Sequence, residues 1–452
     1  MGWHARGLAA CLLLAAAVPA LAERTLIYRL NPGNRLVFEY ETTVSDLTTG
    51  RTLSRSVDEV QVWCLAQQPE GMLVLFDVTR RGAAGSEPTR AAVFHVDSAG
   101  RRRLPPGMPR RLAEIQQALD VMPCLPSDAQ SEQEWRTVLD VFGRRWHCHN
   151  RGADGRQEGA WRIDFSAEEL TGVAELLERQ QTGSYWYDPR AGFVTRVTAE
   201  TEDGRARTRT SVTATFRELV QHSPEWCGRR AAEAERYVQA IGHEDLLLDQ
   251  IVTRADQWPR IRQQLDQLWA AFKTDVETRA NTPFEGLADA QRLALRVADE
   301  RLAARAALAQ RWFGKPAGTW TFQSAAGETM VSESLRGFVV IECYWSAEDA
   351  GALRAMEPLH RIQTRLPEQL FRMVGYNVDR DLDRALRAIA LGGAGVPQII
   401  AGPLREIEAM PELPIVRVLD RNGIVRGMWF GWDPEYAEVV ELACQLADWH
   451  PR

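Results

Sequence analysis

Lysine is almost absent from this chain of 452 residues, since only Lys273 and Lys315 occur and arginine carries nearly all of the positive charge. The arginines are scattered among a larger number of acids, and the net charge is -7 at neutral pH. A mildly acidic chain without a basic block argues against nucleic acid as the main partner. With 45% hydrophobic and 25% charged residues, the composition is typical of a globular chain with more than one domain.

Long apolar runs are also absent after the first 22 residues, so no later transmembrane segment is predicted. The first 22 residues carry His4 and Arg6, then a run rich in leucine and alanine, and then Ala20-Leu21-Ala22. This is the pattern of a secretory signal peptide with its cleavage site, and an uncleaved anchor is the alternative. We therefore expect an exported protein, periplasmic or extracellular, whose mature chain begins at residue 23.

Cysteine is scarce, and no two cysteines are spaced C-x-x-C. Cys11 lies in the signal peptide, and six cysteines remain after its removal. An even number in an oxidising compartment permits structural disulfides, although the sequence alone does not choose the pairing. The six are Cys64, Cys124, Cys148, Cys227, Cys343 and Cys444.

Residues 23–220 have the patterns of β-strands. Leu36, Phe38 and Tyr40 alternate with their neighbours in "RLVFEYETTV", and Asp203-Gly204 is a hairpin signal. We predict a twisted antiparallel sheet, partly closed or packed on helices. One helix is predicted in "PRRLAEIQQALDVM" and a second in "AEELTGVAELLERQ".

Residues 221–311 have a helical pattern. Ile261, Leu265, Leu268 and Phe272 share one helix face, and "NTPF" interrupts the pattern before a second helix. We predict an antiparallel helical hairpin that links two domains. The alternatives are a plain spacer and a partner-binding groove, but apolar stripes of this kind usually pack internally.

Residues 312–452 alternate between strands and helices. "FVVIEC" is a continuous apolar run, which is typical of a strand covered on both faces. A helix, a strand, a helix, two strands joined at Asp420 to Gly423 and a last helix follow. This order predicts an α/β sandwich with a mixed sheet. The whole chain is thus predicted to be an α+β multidomain protein, with an N-terminal antiparallel β-rich domain, a helical hairpin linker and a C-terminal α/β sandwich.

The C-terminal segment resembles the thioredoxin-like domain of exported TlpA- and ResA-type thiol–disulfide oxidoreductases. The stretches "GKPAGTWTF", "LRGFVVIECYW", "RAMEPL", "VGYNVD" and "LPIVRVLDRNGIVRG" match the family's segments in order. The resemblance implies a thioredoxin-like fold for about residues 312–452. It places Tyr344 and Trp345 at the aromatic pair before the active-site motif. It also implies a cis peptide bond between Leu413 and Pro414, with the proline facing the site.

This sequence departs from the family where the reaction takes place. Asp349 and Ala352 occupy the places of the two cysteines, and Ala355 occupies that of an acid on the following helix. Thiol–disulfide exchange needs a thiolate of low pKa and a second thiol that resolves the mixed disulfide. Asp349 cannot attack a disulfide, but it can cap the helix and complement the helix dipole. We therefore expect a redox-inactive domain without a cofactor.

The resemblance suggests that the same end of the domain binds a protein or peptide partner, as a binding or scaffold module. The residues predicted for this binding surface are Tyr344, Trp345, Asp349, Leu413, Pro414 and Trp429. Two alternatives stay open. One is an enzyme that uses Cys343 as a single thiol, although Cys343 is better explained as a core residue or as a partner of Cys444. The other is binding of an envelope component, such as a lipid, by the β-rich domain.

Three motifs partly resemble metal or phosphate sites, but each lacks residues that such a site requires. His147 and His149 share one strand face but lack a third ligand. Asp379, Asp381 and Asp383 begin like a calcium loop but lack its glycine and terminal glutamate, so helix capping explains them better. "LGGAGVP" lacks the Gly-Lys-Ser/Thr of a phosphate loop and predicts a helix end.

Overall fold

A computed structural model defines the architecture of the chain. It describes residues 26–81, 90–108, 120–125, 134–141, 144–157, 159–170, 179–203, 208–277, 282–349, 352, 355–392, 396–402, 404, 409–431 and 436–449. The predicted signal peptide and most of the helix predicted in "PRRLAEIQQALDVM" lie outside these residues. Among the described helices, none combines the length and apolarity needed to cross a membrane.

Eleven strands of the described N-terminal residues form one antiparallel sheet, in the order β5-β4-β3-β2-β1-β11-β10-β9-β8-β7-β6. The first and last strands pair in its middle, so two meanders, β1 to β5 and β6 to β11, meet there. The strands are β1 (Asn34–Asp46), β2 (Thr52–Gln68), β3 (Gly71–Arg81), β4 (Arg90–Val96), β5 (Arg102–Arg103), β6 (Glu134–Val141), β7 (Arg144–Gln157), β8 (Ala160–Leu170), β9 (Arg179–Asp188), β10 (Phe193–Asp203) and β11 (Thr208–Gln221).

The alternation in the first strand produces the predicted core face. Leu36, Phe38 and Tyr40 are at most 3% exposed, because every second side chain points into the sheet's main hydrophobic core. The prediction of a second helix, in "AEELTGVAELLERQ", is wrong at both ends of that segment. "AEELTGVAELLERQ" begins within β8 and ends within β9, so its flanks are strands, and residues 171–178 lie outside the described residues.

Three long helices follow the sheet in the described chain, α1 (Pro224–Thr253), α2 (Trp258–Glu277) and α3 (Glu285–Trp312). The two-helix hairpin is therefore corrected to three mutually packed helices. The predicted apolar stripe does pack internally, because Ile261 and Leu265 are buried between residues of α1 and α3. Glu244 of α1 accepts hydrogen bonds from Trp269 Nε1 at 2.5 Å and Gln291 Nε2 at 2.7 Å, which joins all three helices.

The C-terminal part is a five-stranded mixed sheet in the order β16-β15-β14-β17-β18, preceded by the hairpin β12–β13. Strand β14 is parallel to β15 and antiparallel to β17. The order of strands and helices agrees with the predicted α/β sandwich. The elements are β12 (Thr321–Gln323), β13 (Thr329–Val331), β14 (Val339–Trp345), α4 (Met356–Arg365), β15 (Phe371–Asn377), α5 (Leu382–Gly392), β16 (Gln398–Ile400), β17 (Ile415–Leu419), β18 (Val425–Phe430) and α6 (Ala437–Ala447).

The end of α3 is part of the C-terminal core. Leu308 and Ala309 are fully buried in the same hydrophobic cluster as the strands of the mixed sheet. Arg305 forms an ion pair with Glu412, and its guanidinium lies 5.4 Å from the centre of the Phe430 ring. The helical segment thus packs on the loop that precedes Pro414.

Candidate functional site

The loop that follows β14 is held by one buried carboxylate. Asp379, 2% exposed, accepts hydrogen bonds from Ser346 Oγ and from the N–H of Ala347, the latter at 2.9 Å. Asn377 Nδ2 donates to the same carboxylate at 2.8 Å. The chain at the end of β15 therefore fixes the start of the loop that leads to Asp349 and Ala352. The sequence had indicated Asp379 only as an acid near a helix start.

Asp349 makes the hydrogen bond expected of a helix cap. Its Oδ1 accepts the N–H of Ala352 at 3.1 Å, which is the i to i+3 geometry of an N-cap. Ala352 and Ala355 are fully buried, so each presents only a methyl group to the interior of the domain. The loop offers a carboxylate and no thiol.

Cys343 lies inside the core of the mixed sheet and not at its edge. It is 1% exposed, and burial alone raises the pKa of its thiol, because the thiolate would lose its hydration. A thiol in this state is a poor nucleophile. The arrangement matches the core-residue interpretation of Cys343.

The six described cysteines are all free thiols. The pairing of Cys343 with Cys444 is therefore not formed, although both are buried in the same cluster. Burial is also the main cause that raises the pKa of Cys64 to about 12 and that of Cys148 to about 11.

Four of the six residues predicted for a binding surface are buried, which corrects that prediction. Tyr344, Trp345 and Leu413 are at most 6% exposed, and Pro414 is also buried. Tyr344 and Trp345 end the fully buried strand β14, and Leu413 and Pro414 come directly before β17, so these side chains support the site from inside. The ring of Tyr344 stacks on Tyr376 with centroids 4.6 Å apart. Trp345 Nε1 donates to Gln398 Oε1 at 2.9 Å.

The two remaining residues are partly accessible. Asp349 and Trp429 are half-buried, and Trp429 Nε1 donates to Glu438 on α6 at 3.0 Å. The peptide bond between Leu413 and Pro414 is cis, as the resemblance implies. The Pro414 carbonyl accepts the N–H of Gly431 at 2.8 Å.

A helix beside the loop presents apolar side chains that the sequence analysis did not identify. Leu382 and Leu386 of α5 are 52% and 38% exposed. Arg384, between them, donates to the Ala347 carbonyl at 3.3 Å and lies 3.6 Å from the Glu348 carboxylate. The helix and the loop therefore form one surface. The strong amphipathic pattern of "LDRALRAIAL" was the available signal, but a pattern does not show which face is left uncovered.

A buried ion pair crosses the two central antiparallel strands. Glu342 and Arg417 are 1% and 5% exposed and are bonded through Arg417 Nε, while Tyr376 Oη donates to Glu342 at 2.7 Å. The sequence signal was a single charge inside each of two apolar runs, "FVVIECYW" and "LPIVRVL". Buried charges are rarely left unpaired, so opposite charges in two adjacent strands indicate a pair.

The weaker motifs behave as capping and surface residues where they are described. The N–H of Arg384 donates to Asp381 Oδ1 at 3.1 Å, so Asp381 caps α5. His149 is exposed and Cys148 is buried on opposite faces of β7, while the side chain of His147 lies outside the described residues. No group of three or more candidate metal ligands occurs among the described residues.

The β-rich domain has a cavity of about 200 Å³ beside β1, β2 and β11. Five of its seven lining residues are charged, and Arg217 is ion-paired with Glu39 there. A lipid chain needs an apolar lining, so this cavity does not favour the lipid-binding alternative.

Comparisons with known proteins give similarity to solved structures alone. No family model matches the chain, and no curated protein matches it. A thioredoxin domain of a Bacteroides vulgatus thiol-disulfide oxidoreductase is 16% identical and has a TM-score of 0.27, with 29% of this chain and 97% of that one covered. A thiol-disulfide oxidoreductase from Bacteroides fragilis is 18% identical with a TM-score of 0.26, covering 28% and 99%. StoA from Bacillus subtilis is 14% identical with a TM-score of 0.25, covering 28% and 98%.

Proposed function

We propose that this is an exported, redox-inactive thioredoxin-like protein whose C-terminal domain binds polypeptide segments without exchanging disulfides. The observation that carries the proposal is the hydrogen bond between Asp349 and the N–H of Ala352. A carboxylate and a methyl group stand where the exchange reaction needs two thiols. The nearest cysteine in sequence, Cys343, is buried with a raised pKa.

The composition of the surface beside this cap supports binding of a polypeptide. Leu382 and Leu386 provide exposed apolar area, and Arg384, paired with Glu348, lies between them. An extended segment with apolar side chains and polar backbone groups complements this surface. The predicted signal peptide supports export of the chain.

A disulfide-reduction assay tests the redox part of the proposal. The full mature chain is expected to reduce insulin disulfides with dithiothreitol no faster than dithiothreitol alone. The double variant Asp349→Cys with Ala352→Cys restores the motif and should gain activity above that background. Activity of the native chain that disappears in Cys343→Ser would overturn the proposal.

A binding assay with an unfolded protein tests the second part. The probe is ribonuclease that has been reduced and blocked with iodoacetamide, so that it stays extended and offers no thiol. Native protein should bind it saturably in calorimetry, and Leu382→Asp with Leu386→Asp should weaken binding. Leu53→Asp is the matched control, because Leu53 is 55% exposed on β2, far along the chain from this surface. Equal binding by the α5 variant and the control contradicts the proposed surface.

A further inference from the structure

A cavity of about 160 Å³ lies over the face of the mixed sheet that carries Tyr344 and Arg417. Trp429 pairs with Val416, the neighbour of Arg417, and therefore points to the opposite face. The cavity is thus separate from the Trp429 side of the domain. Its roof is formed by the chain between α3 and β12, including Ala317.

Four aromatic side chains are among the eleven residues that line the cavity. They are Trp312, Trp320, Phe322 and Tyr344. The Trp312 and Tyr344 rings have centroids 5.4 Å apart, and those of Trp320 and Phe322 are 5.5 Å apart. Aromatic side chains of this kind favour a flat apolar ligand over a branched or strongly hydrated ligand.

One charged side chain lines the cavity among the residues described there, and it is rigidly held. The guanidinium of Arg417 lies 4.5 Å from the Trp312 ring centre and 5.0 Å from that of Tyr344. Its Nε donates to the buried carboxylate of Glu342. A guanidinium has further N–H donors beyond Nε, so one bonded edge does not exhaust its capacity. These contacts order the donors before any ligand arrives.

The volume of this half-open cavity suits a ligand of about one ring. An engineered apolar cavity of about 150 Å³ binds benzene, which sets the scale for this one. A ring alone would offer no acceptor to the Arg417 guanidinium, whereas a ring with a carbonyl or carboxylate supplies one. A cationic substituent would face the guanidinium and be repelled.

We propose that this cavity is a binding site for a small aromatic molecule that carries a hydrogen-bond acceptor, with Arg417 as the residue that receives the acceptor. None of the described residues that line the cavity belongs to the proposed polypeptide-binding surface. The acceptor is either an anionic carboxylate or a neutral carboxamide, and benzoate and benzamide represent the two.

Calorimetric titration of the full mature chain with benzoate, benzamide and benzylamine tests the site. At least one of the first two should bind saturably, and about tenfold more tightly than benzylamine, which corresponds to roughly 1.4 kcal/mol. A preference for benzoate identifies an anion site, and a preference for benzamide identifies a neutral one. The tryptophans in the wall provide a second readout through their fluorescence.

Two variants locate the binding. Ala317→Leu fills the cavity from its roof, and Trp320→Ala removes a wall, and each should weaken binding by about tenfold or more. Trp186→Ala is the matched control, because Trp186 is a half-buried tryptophan of the β-rich domain. Thermal melting of each variant establishes that it is folded before the titration.

The proposal is overturned if neither benzoate nor benzamide binds saturably to the folded native chain. Equal affinity for benzylamine also overturns it, because Arg417 would then have no role. Undiminished binding in folded Ala317→Leu places the ligand elsewhere and excludes this cavity.

Discussion

The Oδ1 of Asp349 and the N–H of Ala352 are joined by a hydrogen bond of 3.1 Å in the loop that follows β14. The negative charge of Asp349 therefore lies at the start of this turn. A carboxylate stabilises such a turn and, unlike a thiolate, cannot form a mixed disulfide.

The cap should contribute measurable stability. Asp349→Ala is expected to lower the free energy of unfolding by about 1 kcal/mol, because the N–H of Ala352 loses its acceptor. Asp349→Asn retains an acceptor at the same place and should stay within a few tenths of a kcal/mol of the native chain. Urea denaturation followed by tryptophan fluorescence measures both. Equal losses in the two variants would show that the charge, and not the hydrogen bond, is what stabilises this turn.

The buried ion pair predicts that removing one charge destabilises the protein more than removing both. Glu342→Gln leaves the Arg417 charge buried without its counter-charge and should cost about 3 kcal/mol in the free energy of unfolding. Glu342→Leu combined with Arg417→Met replaces both charges by apolar groups and should recover most of that loss. Denaturant unfolding of the three chains gives the comparison. A double variant less stable than Glu342→Gln contradicts this account of the pair.

The buried carboxyl group of Asp77 on β3 should make the stability of the folded protein depend on pH. Burial, with a smaller contribution from Glu59, raises the pKa of this carboxyl from 3.8 to about 7 in the folded protein. The folded state therefore binds more protons than the unfolded chain between about pH 4 and pH 7, and stability falls as pH rises through that window. Its Oδ1 also has no hydrogen-bond partner among the described residues.

Asp77→Asn removes this titration. The variant should be more stable than the native chain at pH 8 and nearly equal to it at pH 4, as measured by melting temperature. Asp164→Asn is a control, because Asp164 is half-buried and ion-paired with Arg162. A melting difference that is the same at both pH values would exclude Asp77 as the titrating group.

The burial of Cys343 predicts its resistance to alkylation. Iodoacetamide should modify Cys343 in the folded chain only as fast as the core opens, because the thiol is 1% exposed and its pKa is raised. Cys124 is half-buried and should react sooner. Mass spectrometry of digested samples taken over time separates the two. Faster labelling of Cys343 than of Cys124 would restore the single-thiol enzyme as an explanation.

Local patterns in the sequence were sufficient for the elements that depend on near neighbours. "FVVIEC" predicted the buried strand β14, and an aspartate at the start of a helix predicted the N-cap at Asp349. Both predictions depend only on residues within a few positions. The order of matching stretches also predicted the position of the cis bond before Pro414. The patterns that indicate the strand and the cap are short-range and do not depend on which chemistry the protein performs.

Features that depend on long-range packing were not predicted. The burial of Tyr344 results from Trp312 and Tyr376, which reach it from two other elements. Helix α1 was not predicted separately, because residues 221–311 were assigned to a single hairpin of two helices. The exposed face of α5 depends on what covers it, and one sequence does not contain that information.

The contact of α3 with the mixed sheet affects where the chain can be divided. A fragment starting at residue 312, the boundary suggested by sequence, lacks Arg305, Leu308 and Ala309. Removing them exposes the apolar area under the helix and leaves Glu412 without its cationic partner. An independently expressed C-terminal domain should therefore include α3, and the shorter fragment should precipitate or self-associate. Helix α3 is in this sense a structural part of the C-terminal domain.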